Sequence, residues 1–498
     1  MLGDHQNYLR VYNGCVNTTN SGTIAELTPQ RRRLILAICC LSLLIVGMDV
    51  TIVNVALPQI RTDLGASVAG LQWVIDAYTV VLACLLILSG STADRFGRRR
   101  TFQAGLALFT LGSLLCSIAP GLGWLIAFRM LQAVGGSMLN PVAMSIISNV
   151  FTDARERARA IGVFAGVVGL SLGIGPVLGG LLVDGIGWRA IFWVNVPIGI
   201  AAFVLAALFV PESRAPRPRP IDPIGQLLVI LVLVTLTYAI IDAPRAGAGQ
   251  TWGLAAVCIA GLVGFGAYES RRTDPLIELT FFRSLPFSGA TATAVCAFGG
   301  FSAFLFLNTL YLQEARGLSP VHAGLFLLPM AAMTVVFAPI SGRIVAARGP
   351  RIPLVIAGVA MTAGALPLTG LSAGTGYVGL LASYFVFGLG FGFVNAPITN
   401  AAVSGMPRSQ SGVAAAIAST SRQIGASLGV AIVGAVLSSQ TGAHLGSNFV
   451  GASHTGWWIV VGCGVAIVVL AVLSTGSRAL TSAERVADLL DDGPVRVS

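Results

Sequence analysis

The sequence predicts an all-α integral membrane protein of fourteen transmembrane helices, arranged as two six-helix halves with two more helices inserted between them. Three observations predict it. The 498-residue chain is 55% hydrophobic and only 10% charged, where soluble proteins average about 25% charged, so it has too little charge to solvate globular domains. Apolar runs of about 18 to 25 residues recur from residue 34 to residue 474, the length that crosses a hydrocarbon core roughly 30 Å thick. A basic loop motif beginning at Gly90, after the second run, returns 252 residues later at Gly342, after the tenth.

Taken in order, residues 1–33 read as a polar, disordered cytoplasmic tail; Arg31, Arg32 and Arg33 stop its export, so Asn17-Thr18-Thr19 is a glycosylation match without meaning. The first apolar run is too long for a signal peptide, carries Asp49 and lacks a small-residue cleavage site. Spans at 34–57, 69–89, 101–118, 122–148, 160–182 and 189–210 make the first half, 34–210. A stiff basic linker follows, Pro211-Glu212-Ser213-Arg214-Ala215-Pro216-Arg217-Pro218-Arg219-Pro220, and opens the inserted region 211–286 with its spans 222–242 and 251–269. The second half, 287–474, contains spans 287–311, 320–341, 352–371, 376–402, 411–437 and 456–474. Residues 475–498 form a cytoplasmic tail with a short surface helix.

Orientation follows from arginine, because basic short loops resist translocation. An N-terminus inside places Arg95, Arg98, Arg99, Arg100, Arg155, Arg157, Arg214, Arg271, Arg343, Arg348, Arg351 and Arg408 in cytoplasmic loops, and leaves only Arg61, Arg189, Arg245 and Arg316 outside. An even number of spans returns the C-terminus to the cytoplasm. All 30 basic residues are Arg, so a Walker-type ATP site and Schiff-base chemistry are both excluded for want of Lys. The net charge of +10 sits in clusters between apolar segments, where it meets anionic headgroups; nucleic acid is not an expected partner. Cys39, Cys40, Cys84, Cys116, Cys258, Cys296 and Cys463 lie in apolar runs as small hydrophobes, and His5, His322, His444 and His454 have no metal-ligand spacing.

The Gly90 to Arg100 loop and the Gly342 to Arg351 loop share a Gly and a basic ending, and Asn140-Pro141 in span 4 is echoed by Asn395-Ala396-Pro397 in span 12. Spans 1–6 therefore match spans 9–14, with spans 7 and 8 inserted. Two matched halves facing one another across a midplane cavity is the architecture of alternating access, and one chain suffices to form it. The run Met48-Asp49-Val50-Thr51-Ile52-Val53-Asn54-Val55-Ala56-Leu57-Pro58, with the Gly90 loop, resembles the fourteen-span drug:proton antiporter family of the major facilitator superfamily. Arg129-Met130-Leu131-Gln132, Gly173-Ile174-Gly175-Pro176-Val177-Leu178-Gly179-Gly180 and Trp188-Arg189-Ala190-Ile191-Phe192-Trp193-Val194-Asn195-Val196-Pro197-Ile198-Gly199 extend the resemblance along nearly the whole chain. It departs at Ala133, where the family's pattern has Gly.

A carboxylate inside a bilayer needs a partner or a role. At 1.5 Å per residue, Asp49, Asp76 and Arg129 fall at similar depth in the outer half. Asp49 is read as the group that binds a proton facing out and releases it inside, with Arg129 favouring its charged form and burial its neutral one; a static Asp–Arg lock is the alternative. The resemblance points to proton coupling at Asp49 and Arg129. Asp76, with Trp73 and Tyr78, either attracts a cationic drug or anchors the helix at the interface; with Gln132 these are the candidate substrate residues.

Gly90, Asp94, Arg95, Gly97, Arg98 and Arg99 form a candidate conformational latch that pairs with helix ends, beside a purely topological role for its arginines. In span 5, Gly166, Gly169, Gly173 and Gly180 share a face that lets helices approach closely, with a bend expected at Gly175-Pro176. The resemblance makes Gly173, Gly175, Pro176, Gly179 and Gly180 an exporter motif. Arg422-Gln423 near the middle of span 13 calls for an acceptor such as Asn395, Asn308 or a backbone carbonyl, and Phe298, Phe301 and Phe304 read as packing.

The resulting expectation is a non-enzymatic, proton-driven exporter of lipophilic, often cationic drugs in a bacterial cytoplasmic membrane, functional as a monomer, with no ATP, metal or organic cofactor. A dedicated exporter of one antibiotic or of a lipid is the alternative. A non-transporting sensor is disfavoured by Asp49 together with Arg129, and an importer by the Gly-Pro segment of span 5.

Overall fold

A computed structural model of the chain describes residues 27–215, 221–244, 246–272, 275–404, 406, 410–441 and 449–491. The expected N-terminal tail up to residue 26 with its Asn17 match, the linker residues Pro216 to Pro220, Arg245, Arg408, His444 and residues 492–498 lie outside the described residues.

The first half contains α1 Pro29–Leu64, α2 Val68–Phe96, α3 Arg98–Ser117, α4 Leu122–Val150, α5 Ala154–Gly185, the short α6 Ala190–Trp193 and α7 Asn195–Phe209. The inserted pair is α8 Pro223–Asp242 and α9 Ala248–Glu269. The second half runs through α10 Leu285–Leu310, α11 Pro320–Phe326, α12 Leu328–Arg348, α13 Arg351–Ala365, α14 Tyr377–Gly392, α15 Asn395–Val403, α16 Ser411–Thr441 and α17 Phe449–Ser474. The amphipathic α18 Ser477–Asp491 closes the described chain, and no strand occurs among the described residues. Among the described residues, thirteen spans are long and apolar enough to cross a membrane by length and composition. The fourteenth expected span is α3, whose first turns carry Arg98, Arg99, Arg100 and Gln103.

Capping explains several boundaries. Thr28 accepts a hydrogen bond from the Arg31 amide and Pro29 fills the first helical position, so α1 starts at Pro29 rather than at residue 34, and the Arg31 to Arg33 cluster is helical rather than tail. Asp153 caps α5 through the amides of Arg155 and Glu156, and Asp222 caps α8 through that of Gly225. Three expected spans are interrupted, at Val194, Leu327 and Phe393-Val394. Each break lies two to four residues ahead of a proline, Pro197, Pro329 or Pro397, where the ring removes an amide and crowds the carbonyl four residues back.

The duplication is visible in the packing. In the first half α1 packs on α5, α2 and α3 on α4, and α3 on α7; in the second α10 packs on α16, α12 and α13 on α14, and α13 on α17. Both repeated loops turn on a left-handed glycine, Gly97 (φ 110°) and Gly349 (φ 78°), again 252 residues apart. The inserted hairpin docks through α8 on α2 and α16, at the seam between the halves. Gln226 there donates to the Cys84 carbonyl at 2.6 Å.

The halves meet at the end away from the basic loops. Arg61 reaches Glu314 at 3.1 Å, Gln313 donates to the Val55 carbonyl at 2.9 Å, and the Val321 amide donates to Asp184 at 3.2 Å. One apolar cluster joins Met48, Ile52 and Leu71 of the first half to Phe304, Leu307 and Met330 of the second. Towards the basic end, the cluster of Ile35, Phe102, Ile146 and Phe164 draws only on the first half. Leu181, Ile200, Leu208, Leu227, Leu262 and Val263 are exposed around the outside, an apolar belt fit for acyl chains. Trp124, Trp193 and Trp252 are exposed near the starts of their spans, all at the end away from the basic loops, as an interfacial aromatic girdle.

Candidate functional site

Asp49 sits in α1 with no solvent exposure, and Arg129 in α4 is 1% exposed. Arg129 Nη1 donates to Asp49 Oδ2 at 2.5 Å and to Gln132 Oε1 at 2.6 Å, while its Nε donates to the Val74 carbonyl at 3.2 Å. The other carboxylate oxygen, Oδ1, accepts from Gln132 Nε2 at 2.8 Å and Asn195 Nδ2 at 3.1 Å. Ser113 of α3 accepts from the same two amides, at 2.6 and 3.3 Å. The guanidinium lies 4.2 Å from the Tyr78 ring centroid and 5.8 Å from that of Phe192. Five helices thus contribute to one cluster around the Asp49–Arg129 pair. The depth match inferred from residue counting is realised as a direct ion pair, because α1 and α4 bring both side chains to one level.

The four candidate substrate residues do not form one site. Gln132 and Tyr78 belong to the Asp49 cluster instead. Asp76 is fully buried on another side of α2: the Thr79 hydroxyl donates to its Oδ1 at 3.4 Å, and Ser427 of α16 stands beside the carboxylate. Two residues along a helix turn the side chain by about 200°, which is why Asp76 and Tyr78 part company. Trp73 packs on Tyr238 of the inserted hairpin at 5.9 Å. Gln72 completes the α2–α16 seam, donating to the carbonyls of Val430 and Ala431 at 3.3 and 2.8 Å.

The candidate latch joins the facing ends of α2 and α3 to the chain that follows the sixth span. Asp94 pairs with Arg98 at 2.9 Å. Glu212 accepts from the Arg99 amide at 3.1 Å and lies 3.9 and 3.7 Å from the Nε atoms of Arg99 and Arg100. The Arg98 amide donates to the Ser213 carbonyl and the Ala215 amide to the Asp94 carbonyl. Two of the expected latch residues take no part: Gly90 lies inside α2 with open space around it, and Arg95 is exposed against Phe96. The two glycines therefore differ sharply. A Cβ on Gly97 meets Glu212 Oε1 at 2.6 Å from a left-handed backbone, so Gly97→Ala is expected to destabilise by about 1–3 kcal/mol. Gly90→Ala is expected to be neutral or slightly stabilising, because it adds helix propensity without a clash; thermal unfolding in detergent separates the two.

Span 5 uses two glycine faces rather than one. A Cβ on Gly169, Gly173 or Gly180 would meet Val335, Ala331 or Val321 of the second half, whereas Gly166 has open space. About 200° round the helix, Gly175 and Gly179 abut Thr51 and Ile52 of α1. The Pro176 carbonyl lies against Gly324 of α11. In the second half, Arg422 finds neither expected asparagine: it donates to Thr399 at 2.7 Å and Ser419 at 3.1 Å. Asn308 is taken by the Tyr384 hydroxyl. Phe301 stacks on Phe391 and Phe304 on Phe387, so these rings are core, with Phe298 at its edge.

Ser113, Asn195 and Glu212 are the functional candidates that sequence reasoning passed over. A lone polar residue in an apolar run was the available signal for the first two. Among the described residues no cluster of three or more His, Cys, Asp or Glu side chains is placed to hold a metal.

Comparisons with known proteins agree on one family. Residues 39–430 match the Major Facilitator Superfamily. The tetracenomycin C resistance and export protein of Streptomyces glaucescens is 38% identical over 390 residues, 77% of this chain and 72% of that protein. Multidrug resistance protein Stp of Mycobacterium tuberculosis is 35% identical over 78% of this chain and 72% of its own. Multidrug efflux pump LfrA of Mycolicibacterium smegmatis is 33% identical over 83% of this chain and 81% of its own. A solved structure of a bacterial homologue of the human drug peptide transporters PepT1 and PepT2 aligns with a TM-score of 0.64 over 91% of this chain and 99% of that one, at 15% identity, a likeness of fold alone. Helical architecture, family match and relatives converge: the chain belongs to the Major Facilitator Superfamily, as a multi-pass membrane transporter and not an enzyme.

Proposed function

We propose that this transporter is a proton-coupled antiporter exporting lipophilic, often cationic drugs and antibiotics across a bacterial cytoplasmic membrane, with its basic loops and both termini in the cytoplasm. The observation that carries the reading is the Asp49–Arg129 pair, an ionisable couple buried among five helices of one half. Asp49 accepts three hydrogen bonds, all from N–H donors, the arrangement suited to an ionised carboxylate. Loading a proton on Asp49 requires Arg129 to give up that contact. On the proposed orientation the halves are packed together at the external end.

Outward opening parts Arg61 from Glu314 and lets Asp49 exchange Arg129 for a proton; return delivers that proton inside. A driving force of about 150 mV supplies roughly 3.5 kcal/mol per proton, a concentration ratio of several hundred-fold. Residues 34–210 and 287–474 are the two moving halves, and one chain is the functional unit. Asp76 serves cationic cargo where α2 and α16 separate. The Asp94–Arg98 and Glu212 contacts hold the basic end of the first half while it moves as one body.

The names of the relatives support drug export, two of them as multidrug proteins. A single-cargo reading has its own support in the Streptomyces glaucescens protein, named for tetracenomycin C. Ethidium efflux from energised cells tests both. Wild-type efflux abolished by a protonophore and by Asp49→Asn is the expected result. Ethidium retained by wild-type cells favours one dedicated cargo, and efflux that survives Asp49→Asn removes Asp49 from coupling and moves attention to Asp76.

A further inference from the structure

The second half carries a charge that nothing within it answers. Between residues 287 and 474 the sequence holds one acidic residue, Glu314, and that carboxylate is engaged by Arg61 at the end away from the basic loops. Arg422 stands well inside α16. Its guanidinium donates to the hydroxyls of Thr399 at 2.7 Å and Ser419 at 3.1 Å, both neutral, and its buried Nε–H has no acceptor. No described carboxylate lies within ion-pair distance. A guanidinium has five N–H donors and stays charged, so two hydroxyls leave it unneutralised and under-bonded.

Its neighbourhood is not that of a lipid-facing surface. Thr399 and Asn400 are exposed beside it, Arg422 and Gln423 are half-buried, and the Phe298 ring stands 6.0 Å from Arg422 Cζ. Intramembrane cations with polar surroundings line the bundle interior or a water-filled cavity. Asp76 is not the missing counter-ion in this arrangement. It faces Ser427, five residues along α16 and about 140° round the helix from Arg422.

We propose that Arg422, with Thr399, Ser419 and the Phe298 ring, forms an oxyanion-binding subsite of the transport cavity, and that the cargo is an aromatic compound bearing an acidic oxygen, a carboxylate or ionised phenol, zwitterions included. The subsite rests on the export reading above and narrows its cargo: lipophilic cations remain the business of Asp76, and Arg422 takes the acidic end. Planar N–H donors suit a carboxylate in two-point contact, and the neighbouring ring suits an aromatic body rather than an acyl chain.

A matched pair of probes tests it without any proton gradient. Binding of naphthoate and of naphthyltrimethylammonium to the purified full chain in detergent is measured by equilibrium dialysis, for wild type, Arg422→Gln and Arg422→Lys. Naphthoate binding is expected to weaken at least tenfold in Arg422→Gln and several-fold in Arg422→Lys, which keeps the charge and loses the planar fork; the ammonium probe is expected to bind all three alike. Should Arg422→Gln not fold, the Arg422→Lys comparison carries the same prediction. Wild type that does not bind naphthoate, equal naphthoate binding by wild type and variants, or equal loss of both probes overturns the subsite. Naphthoate that fails while dodecyl phosphate binds in an Arg422-dependent way also overturns the aromatic-acid cargo and gives the site to a lipid headgroup. A chain that exports ethidium yet fails these tests loses only the subsite; one that passes them without proton-driven efflux loses only the export reading.

Discussion

Arg129→Ala is expected to destabilise the protein by about 3–5 kcal/mol, among the largest effects of any single substitution, because it strands a buried carboxylate without its counter-charge. Asp49 would keep Gln132 and Asn195, but these neutral amides carry no compensating charge. The substitution also removes the donor to the Val74 carbonyl and the cation over Tyr78. Asp49→Asn likewise strands a buried charge, the Arg129 cation, among the neutral acceptors Gln132 and Val74, and is expected to cost a comparable amount, eased only by the Tyr78 ring face. The double variant Asp49→Asn/Arg129→Ala should recover much of the Arg129→Ala loss, because no charge is then left uncompensated. Denaturation of the purified variants in detergent measures all of this. A loss below about 1 kcal/mol for Arg129→Ala, or strict additivity of the two substitutions, would show that the pair is not a coupled charge centre.

The residues that made this cluster legible were few and local. Asp49 and Arg129 announced themselves as charges in apolar runs, and a rise of 1.5 Å per residue was enough to set them level. What a run of apolar residues cannot convey is the rotational phase of one helix against another. Ser113 and Asn195 complete the cluster only because α3 and α7 turn those faces inward, and nothing local distinguishes them from a tolerated polar residue facing elsewhere. Tyr78 was the opposite case. Its separation from Asp76, two positions along α2, follows from helical geometry alone.

Long-range docking was beyond reach for another reason. Glu212 meets Arg99 across 113 positions of chain, through a linker whose composition reads only as stiff and basic. Prolines show the same limit. Pro58, Pro141, Pro176 and Pro339 lie inside continuous helices, whereas Pro197, Pro329 and Pro397 follow breaks. In the first four the ring sits in the helix interior, where the surrounding packing carries the helix through it, whereas in the other three the break places it in the first turn, where it costs little. The repeat, by contrast, was legible because it is written in backbone conformation: Gly97 and Gly349 occupy left-handed turns that other residues rarely adopt.

Bulk at the contact between α5 and α11 is expected to hold the halves apart and stop transport without unfolding either half. A Cβ at Gly324 would stand 2.3 Å from the Pro176 carbonyl oxygen, and one at Gly180 would stand 2.6 Å from the Pro320 oxygen and the Val321 Cα. These obstacles are backbone atoms, so no rotamer change relieves them. Overpacking of this kind raises the energy of the packed state by about 1–3 kcal/mol per site. The penalty applies only where α5 and α11 touch, so it falls on the state closed at that end and spares the open one. Since 1.4 kcal/mol is a factor of about ten in an equilibrium constant, Gly324→Val alone should shift the balance by roughly five- to a hundred-fold, and Gly180→Val/Gly324→Val further. Spin labels placed at Arg61→Cys and Glu314→Cys, ahead of a 3.1 Å ion pair in the closed arrangement, report the opening directly. The expected result is a longer inter-label distance and at least tenfold slower efflux in Gly324→Val. Gly185→Ala, with open space around its position at the end of α5, should leave both unchanged. Efflux and distance that are both unaffected by Gly324→Val would mean that this contact is not part of the transport cycle, and that the halves separate elsewhere.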